Sequence, residues 1–258
     1  MSSQAIKSDR KKAQYYFNRG TTYFQIKQYE KAISDLTNAI DLYRNSKDFQ
    51  IKIYQKMLTL RSKVYMNNKE YSLALDDANK LVKYDPTNIN YLIQRGSLYS
   101  FLDSLTKSLI DFNKAIELNP TNKSYYFNRA IVNYKLQNYE NTLYDCNIYI
   151  EDNLSKSVYY GIFLKSAAFI ELEKYDKANY EIKHARNYTF HSIEDSTSYF
   201  ILQSVINKKL EKNNLANKYF KHVELLMEKE NKIDRLEKDL IVGHSKNIKA
   251  ILKEWGKI

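Results

Sequence analysis

One pattern of apolar, small and polar positions runs six times between Ala13 and Met227, in repeats that start at 13, 55, 89, 123, 159 and 197. Position 4 is large and apolar throughout: Tyr16, Leu58, Leu92, Tyr126, Ile162 and Phe200. Position 8 is small: Gly20, Ser62, Gly96, Ala130, Ser166 and Ser204. Position 20 is small again: Ala32, Ala74, Ser108, Thr142, Ala178 and Ala216. The spacing 4, 8, 11 is one face of an α-helix, and 17, 20, 24, 27 is one face of a second. Positions 4 and 24, 8 and 20, and 11 and 17 share a constant sum, as contacting positions do in an antiparallel hairpin. Each repeat therefore predicts two helices packed face to face, closest where the side chains are smallest. Both prolines, Pro86 and Pro120, fall at position 32, where they end a second helix. The fold class is all-α, a row of hairpins that bury their apolar faces on one another.

Successive repeats start 42, 34, 34, 36 and 38 residues apart, so the first spacing carries an insertion, KDFQIKIY (47–54). Phe49, Ile53, Met57, Leu60 and Val64 form a helical stripe through it, with Ser46 as a candidate cap. The third helix is expected to begin about two turns early, with Phe49 and Ile53 against the first hairpin or a partner. Tyr219, Leu226, Ile233 and Leu240 recur every seven residues, so the last helix is expected to run on past Met227 to about Val242, where Gly243 breaks it. Ile248, Ile251, Leu252 and Trp255 then make a short amphipathic helix, capped by Ser245, whose expected role is to cover the last hairpin's apolar face. The domain reading is a polar N-terminal extension (1–12), a six-repeat array (13–229) and a C-terminal helical capping segment (230–258).

Residues 15–42 (YYFNRGTTYF…YEKAISDLTNAIDL), 91–122 (YLIQRGSLYS…LIDFNKAIELNPTN) and 125–150 (YYFNRA…YENTLYDCNIYI) resemble the tetratricopeptide repeat. Repeats one and three match its signature best and repeat six least. The resemblance implies a right-handed superhelical solenoid, a concave groove lined by the first helix of each repeat, and work as a protein-binding scaffold or adaptor. The groove residues expected on that basis are Phe17, Asn18, Thr21, Lys63, Phe127, Asn128, Ile131, Tyr134, Phe163, Ala167, Ile170, Ile201 and Val205. The lining is more polar in repeats one to three and more apolar in four to six. An apolar row of that length calls for a cover, from a partner or from the chain's own C-terminal segment. Family members that clamp a chaperone's carboxylate tail need Lys at 5 and Asn at 9 of one repeat, Asn at 6 of the next, then Lys at 2 and Arg at 6. Phe17 and Thr21, then Leu60, then Asn90 and Gln94 fail that pattern, so a chaperone-tail adaptor is not expected.

A second periodic feature crosses each hairpin. Position 7 is Arg19, Arg61, Arg95, Arg129 and Lys165; position 23 is Asp35, Asp77, Asp111, Asp145 and Glu181. Both patterns stop at repeat six, with Gln203 and Tyr219. The two positions sit nearly opposite across the hairpin, which predicts basic–acidic pairs joining helix to helix rather than an arginine row for a ligand.

Composition narrows the chemistry. Cys146, the single cysteine, excludes an internal disulfide and falls at core position 24, where a small buried hydrophobe is expected. His184, His191, His222 and His244 lack metal-ligand spacing, and 5 glycines hardly allow a phosphate loop. No catalytic residue, metal or cofactor is expected, and no enzyme activity. The N-terminus shows no secretory pattern and no apolar run is long enough to span a bilayer, so a cytoplasmic setting is expected. The net charge of +11 comes with lysines interspersed with acids, and the tightest basic cluster, Lys7, Arg10, Lys11 and Lys12, lies outside the repeats. It reads as compositional drift and solubility; nucleic-acid association rests on charge alone. The expected partner is a protein or peptide, bound by a monomer. The alternative is a structural subunit that uses its convex face or terminal helix.

Overall fold

In the computed structural model, residues 3–46, 49–151, 158–185, 193–228 and 246–254 are described. They form helices and turns, with no strand among the described residues. The chain divides into two compact units, Met1–Asn119 and Pro120–Ile258.

The N-terminal unit holds three hairpins: α1 (Ser3–Gln25) with α2 (Tyr29–Arg44), α3 (Ile51–Asn67) with α4 (Tyr71–Tyr84), and α5 (Ile89–Phe101) with α6 (Leu105–Leu118). The C-terminal unit holds α7 (Lys123–Lys135) with α8 (Tyr139–Ile150), α9 (Tyr159–Glu171) with α10 (Tyr175–Ala185), α11 (Ile193–Lys209) with α12 (Asn213–Glu228), and α13 (Lys246–Glu254). Within each unit every helix packs on the next along the chain, α12 and α13 excepted. The residues at positions 8 and 20 are buried in all six repeats. The Ser62 hydroxyl donates to the Ala74 carbonyl at 2.9 Å and Ser108 to the Gly96 carbonyl at 2.6 Å, so these positions touch. A Cβ on Gly96 would lie 2.9 Å from the Phe112 ring, which is why the crossing takes no larger residue there without a shift.

The turn inside each hairpin is the same six times. Lys27, Lys69, Asp103, Gln137, Glu173 and Glu211, all at position 15, have φ between 55° and 63°. The amide at position 16 donates to the carbonyl at position 11, as from Gln28 to Tyr23 at 2.9 Å and from Lys212 to Asn207 at 2.9 Å. This bond satisfies a carbonyl left over at the helix end. A left-handed non-glycine residue costs about 1 kcal/mol, so hairpin packing rather than local preference holds the turn.

Several expectations change. The polar N-terminal extension is helical from Ser3 and runs into the first repeat as part of α1. α3 begins at Ile51, about one turn early rather than two. Phe49 lies before it, its ring 5.9 Å from Tyr43 and 5.4 Å from Tyr54, and Ile53 packs on the first hairpin's core. Ser46 does not cap α3; its hydroxyl donates to the Tyr43 carbonyl at 2.8 Å and closes α2. α13 packs on α11 of the last hairpin, as expected, and on α9 of the hairpin before it as well. The expected run of α12 to Val242, Gly243, Ser245 and Trp255 lies outside the described residues.

Candidate functional site

The helices of the first five hairpins are joined by charge. Arg19, Arg61, Arg95 and Arg129 each donate through Nε and Nη2 to both carboxylate oxygens of Asp35, Asp77, Asp111 and Asp145, at 2.6–2.9 Å. The four aspartates are buried. Lys165 repeats the contact with Glu181 at 2.7 Å. Hydrogen bonding to Asp111 and Asp145 raises the Arg95 and Arg129 guanidinium pKa values, against the opposing effect of burial. Arg19, Arg61 and Arg95 also lie over the aromatic ring at position 11, Tyr23, Tyr65 and Tyr99. Where position 11 is Asn the amide takes over: Asn133 donates to Asp145 at 3.1 Å, and Asn207 to Gln203. These arginines are structural. They fix the angle at which each first helix presents its other face.

In the N-terminal unit that other face is open. α1, α3 and α5 line a concave cleft of about 980 Å³. Its walls carry Phe17, Leu60, Met66 and Ile93 as apolar contacts, Thr21, Thr59 and Ser97 as hydroxyls, and Asn67, Asn90 and Gln94 as carboxamides. Lys56 and Lys63 are exposed on α3 and supply the cations; no lining residue is acidic. Five of these polar groups have internal partners: Thr21, Thr59 and Ser97 donate to the carbonyls of Phe17, Gln55 and Ile93, Asn67 donates to the Lys63 carbonyl at 2.8 Å, and Gln94 donates to Ser62 at 2.7 Å. Phe17, Thr21 and Lys63 thus lie together as their register predicts. Asn18 is exposed and accepts from the Gln14 amide at 2.8 Å; it is not among the residues lining the cleft. Lys56, Thr59, Met66, Asn67, Asn90, Ile93 and Ser97 share the register of the expected groove face, while Leu60, Tyr91 and Gln94 stand one residue along from it and were missed.

The C-terminal unit differs at the same positions. Tyr134, Phe163, Ala167, Ile170, Ile201 and Val205 are buried, not open lining. Phe127 stacks on Tyr149 at 4.6 Å, Phe127 and Ile131 pack half-buried on the same core, and Asn128 is half-buried. The cause is the chain itself: α13 packs on α9 and α11, and Ile248, Ile251 and Leu252 enter the core that holds Phe163 and Val205. α7 packs on α9 as well. Gly161 was also missed. A Cβ there would lie 2.5 Å from Tyr149, so α8 and α9 meet through it; a lone glycine in an apolar helix was the available signal.

Cys146 is buried, and burial pushes its thiol pKa well up, which keeps it protonated and unreactive. Among the described residues no three His, Cys, Asp or Glu side chains are grouped to hold a metal, and no helix is long and apolar enough to cross a membrane. His191 and His244 lie outside the described residues.

Two of the six repeats match known family models. Tetratricopeptide repeat family models match residues 13–46 and 89–122. No curated protein sequence matches the chain. Among solved structures, a tetratricopeptide repeat protein from Parabacteroides merdae is similar at 16% identity and a TM-score of 0.59, over 94% of this chain and 98% of that one. TTC0263 from Thermus thermophilus is similar at 13% identity and 0.54, over 74% and 98%. YrrB, a TPR protein with an unusual peptide-binding site, is similar at 17% identity and 0.56, over 72% and 90%. At these identities the likeness is one of fold.

Proposed function

The chain is a tetratricopeptide repeat protein, and from that premise we propose that it is a non-catalytic scaffold that holds an extended acidic peptide in the cleft of its N-terminal unit. One observation carries the reading: the concave face of α1, α3 and α5 combines two lysines, carboxamides and apolar side chains, and no carboxylate. Lys56 and Lys63 attract carboxylates, Asn67 and Asn90 suit a peptide backbone, and Phe17, Leu60 and Ile93 offer apolar contact between them. The pairing differs from the chaperone-tail clamp, since Phe17, Thr21 and Leu60 stand where its lysine and asparagines belong. We place the scaffold in the cytoplasm, as its charge-rich composition and single cysteine suggest.

A random peptide library selected on the purified chain tests this. Acidic peptides with an aliphatic or aromatic neighbour are expected, and Lys56→Glu with Lys63→Glu should weaken them at least about tenfold without loss of helix content. Selection of basic peptides, or binding indifferent to both lysines, rejects the cleft.

A second reading draws on the outer helices of the C-terminal unit. Tyr144 and Tyr180 are 62% and 65% exposed there, on the face a structural subunit would use against a larger assembly. Tyr144→Ser with Tyr180→Ser would then abolish assembly and leave peptide binding intact.

A further inference from the structure

The C-terminal helix α13 occupies the place in its unit that the cleft leaves open in the other. Phe163 and Ile201 are at position 5 and Ala167 and Val205 at position 9 of repeats five and six, the register of Phe17, Thr21, Thr59 and Lys63 in the cleft. We propose that the inner face of α9 and α11 is a binding site for a partner's amphipathic helix, and that α13 is a displaceable occupant of it held in cis.

The chemistry of α13 defines the partner. Ile248, Ile251 and Leu252, at i, i+3 and i+4, are buried, and Ala250, Lys253 and Glu254 are exposed. A partner helix therefore needs aliphatic residues at that spacing on one face and polar residues on the other. Three observations fit displacement. At 9 residues α13 is shorter than a helix that holds its own shape in water. Among the described residues, those three side chains are the ones it places in the unit's core. The ion pair from Lys209 to Glu254 spans 3.9 Å with Glu254 72% exposed, a contact that adds little. The face beneath is apolar at Phe163, Ala167, Ile201 and Val205, so an incoming helix needs few polar matches to replace α13.

Two measurements on the full chain test this. In hydrogen exchange, the amides of 248–254 are expected to exchange at least about tenfold faster than those of 201–207, reporting opening of α13 alone. Equal rates would make α13 integral core and overturn the proposal. In the second, Ile248→Asp with Leu252→Asp should release α13, so that a labelled peptide with the sequence of residues 243–258 binds the variant at least about tenfold more tightly than the wild type. The same peptide carrying Ile251→Asp should not bind. A folded variant that ignores the peptide overturns the proposal, as does a concentration-dependent wild-type dimer, which would make a second copy the occupant. If the variant loses hairpin helicity, the exchange rates in the wild type decide. The cleft plays no part in either readout, so the two sites stand or fall separately.

Discussion

The two units share a backbone plan and differ in what their inner faces hold. In both, first and second helices meet through small residues at positions 8 and 20, and in every repeat but the sixth a base at position 7 grips an acid at position 23. In the N-terminal unit, positions 5 and 9 are Phe17, Thr21, Thr59, Lys63, Ile93 and Ser97, and the face stays open as a cleft. In repeats five and six they are Phe163, Ala167, Ile201 and Val205, and the chain covers them with α13. The repeat's frame therefore does not decide whether a face is free. A few side chains that the frame leaves unspecified do, because an apolar face of that extent draws a cover from the nearest amphipathic segment.

The shared frame predicts equal damage in the two units. Arg95→Leu and Arg129→Leu each leave a buried aspartate without its bidentate partner, and each should cost about 3–5 kcal/mol in urea unfolding. Lys165→Met, which breaks a single contact to Glu181, should cost less. A loss confined to one unit's arginine would break the comparison. The helix crossings come next. Gly161→Ala drives a methyl to 2.5 Å from Tyr149 and should lose about 1–2 kcal/mol even after alanine's better helix propensity. Gly96→Ala meets Phe112 at 2.9 Å, and clash and propensity should leave it within about 1 kcal/mol of the wild type. Calorimetry of the two variants ranks them.

Smaller effects separate two equivalent serines. Ser62 bonds both Ala74 and Gln94, so Ser62→Ala should cost about 1 kcal/mol. The buried Ser166 hydroxyl has no hydrogen-bond partner among the described residues, and Ser166→Ala should stay within about 0.5 kcal/mol. The smallest effect is one of pH. Burial first, and then Glu171, which accepts from the phenol at 3.3 Å, push the Tyr139 pKa up to about 12. The folded C-terminal unit holds this proton more tightly than the unfolded chain. Its contribution is therefore complete below about pH 10 and lost as pH rises towards 12. Tyr139→Phe should flatten that part of the alkaline unfolding curve.

Much of this frame is legible in the chain. The hairpins, the crossings and the base–acid pairs follow from spacing alone, because each needs a particular residue size or charge at a fixed offset. The left-handed turn at position 15 does not. Lys27, Lys69, Gln137 and Glu173 are neither Gly nor Asn, and packing overrides their preference. The state of the inner faces was half legible. Polar and apolar lining could be told apart at Lys63 and Phe163, but whether α13 or a partner covers Phe163 depends on contacts remote in sequence. The start of α3 was placed a turn too early because Phe49 fits a helical stripe equally well as a residue packed before the helix.

Chemical-shift mapping of a selected acidic peptide on the labelled chain tests the central claim, that the open cleft is where the protein meets its partner. The account predicts saturable shifts at Phe17, Thr59, Lys63 and Gln94, with the amides of α9 and α11 unmoved. Shifts centred on α9 and α11, or none at Lys63, would contradict it.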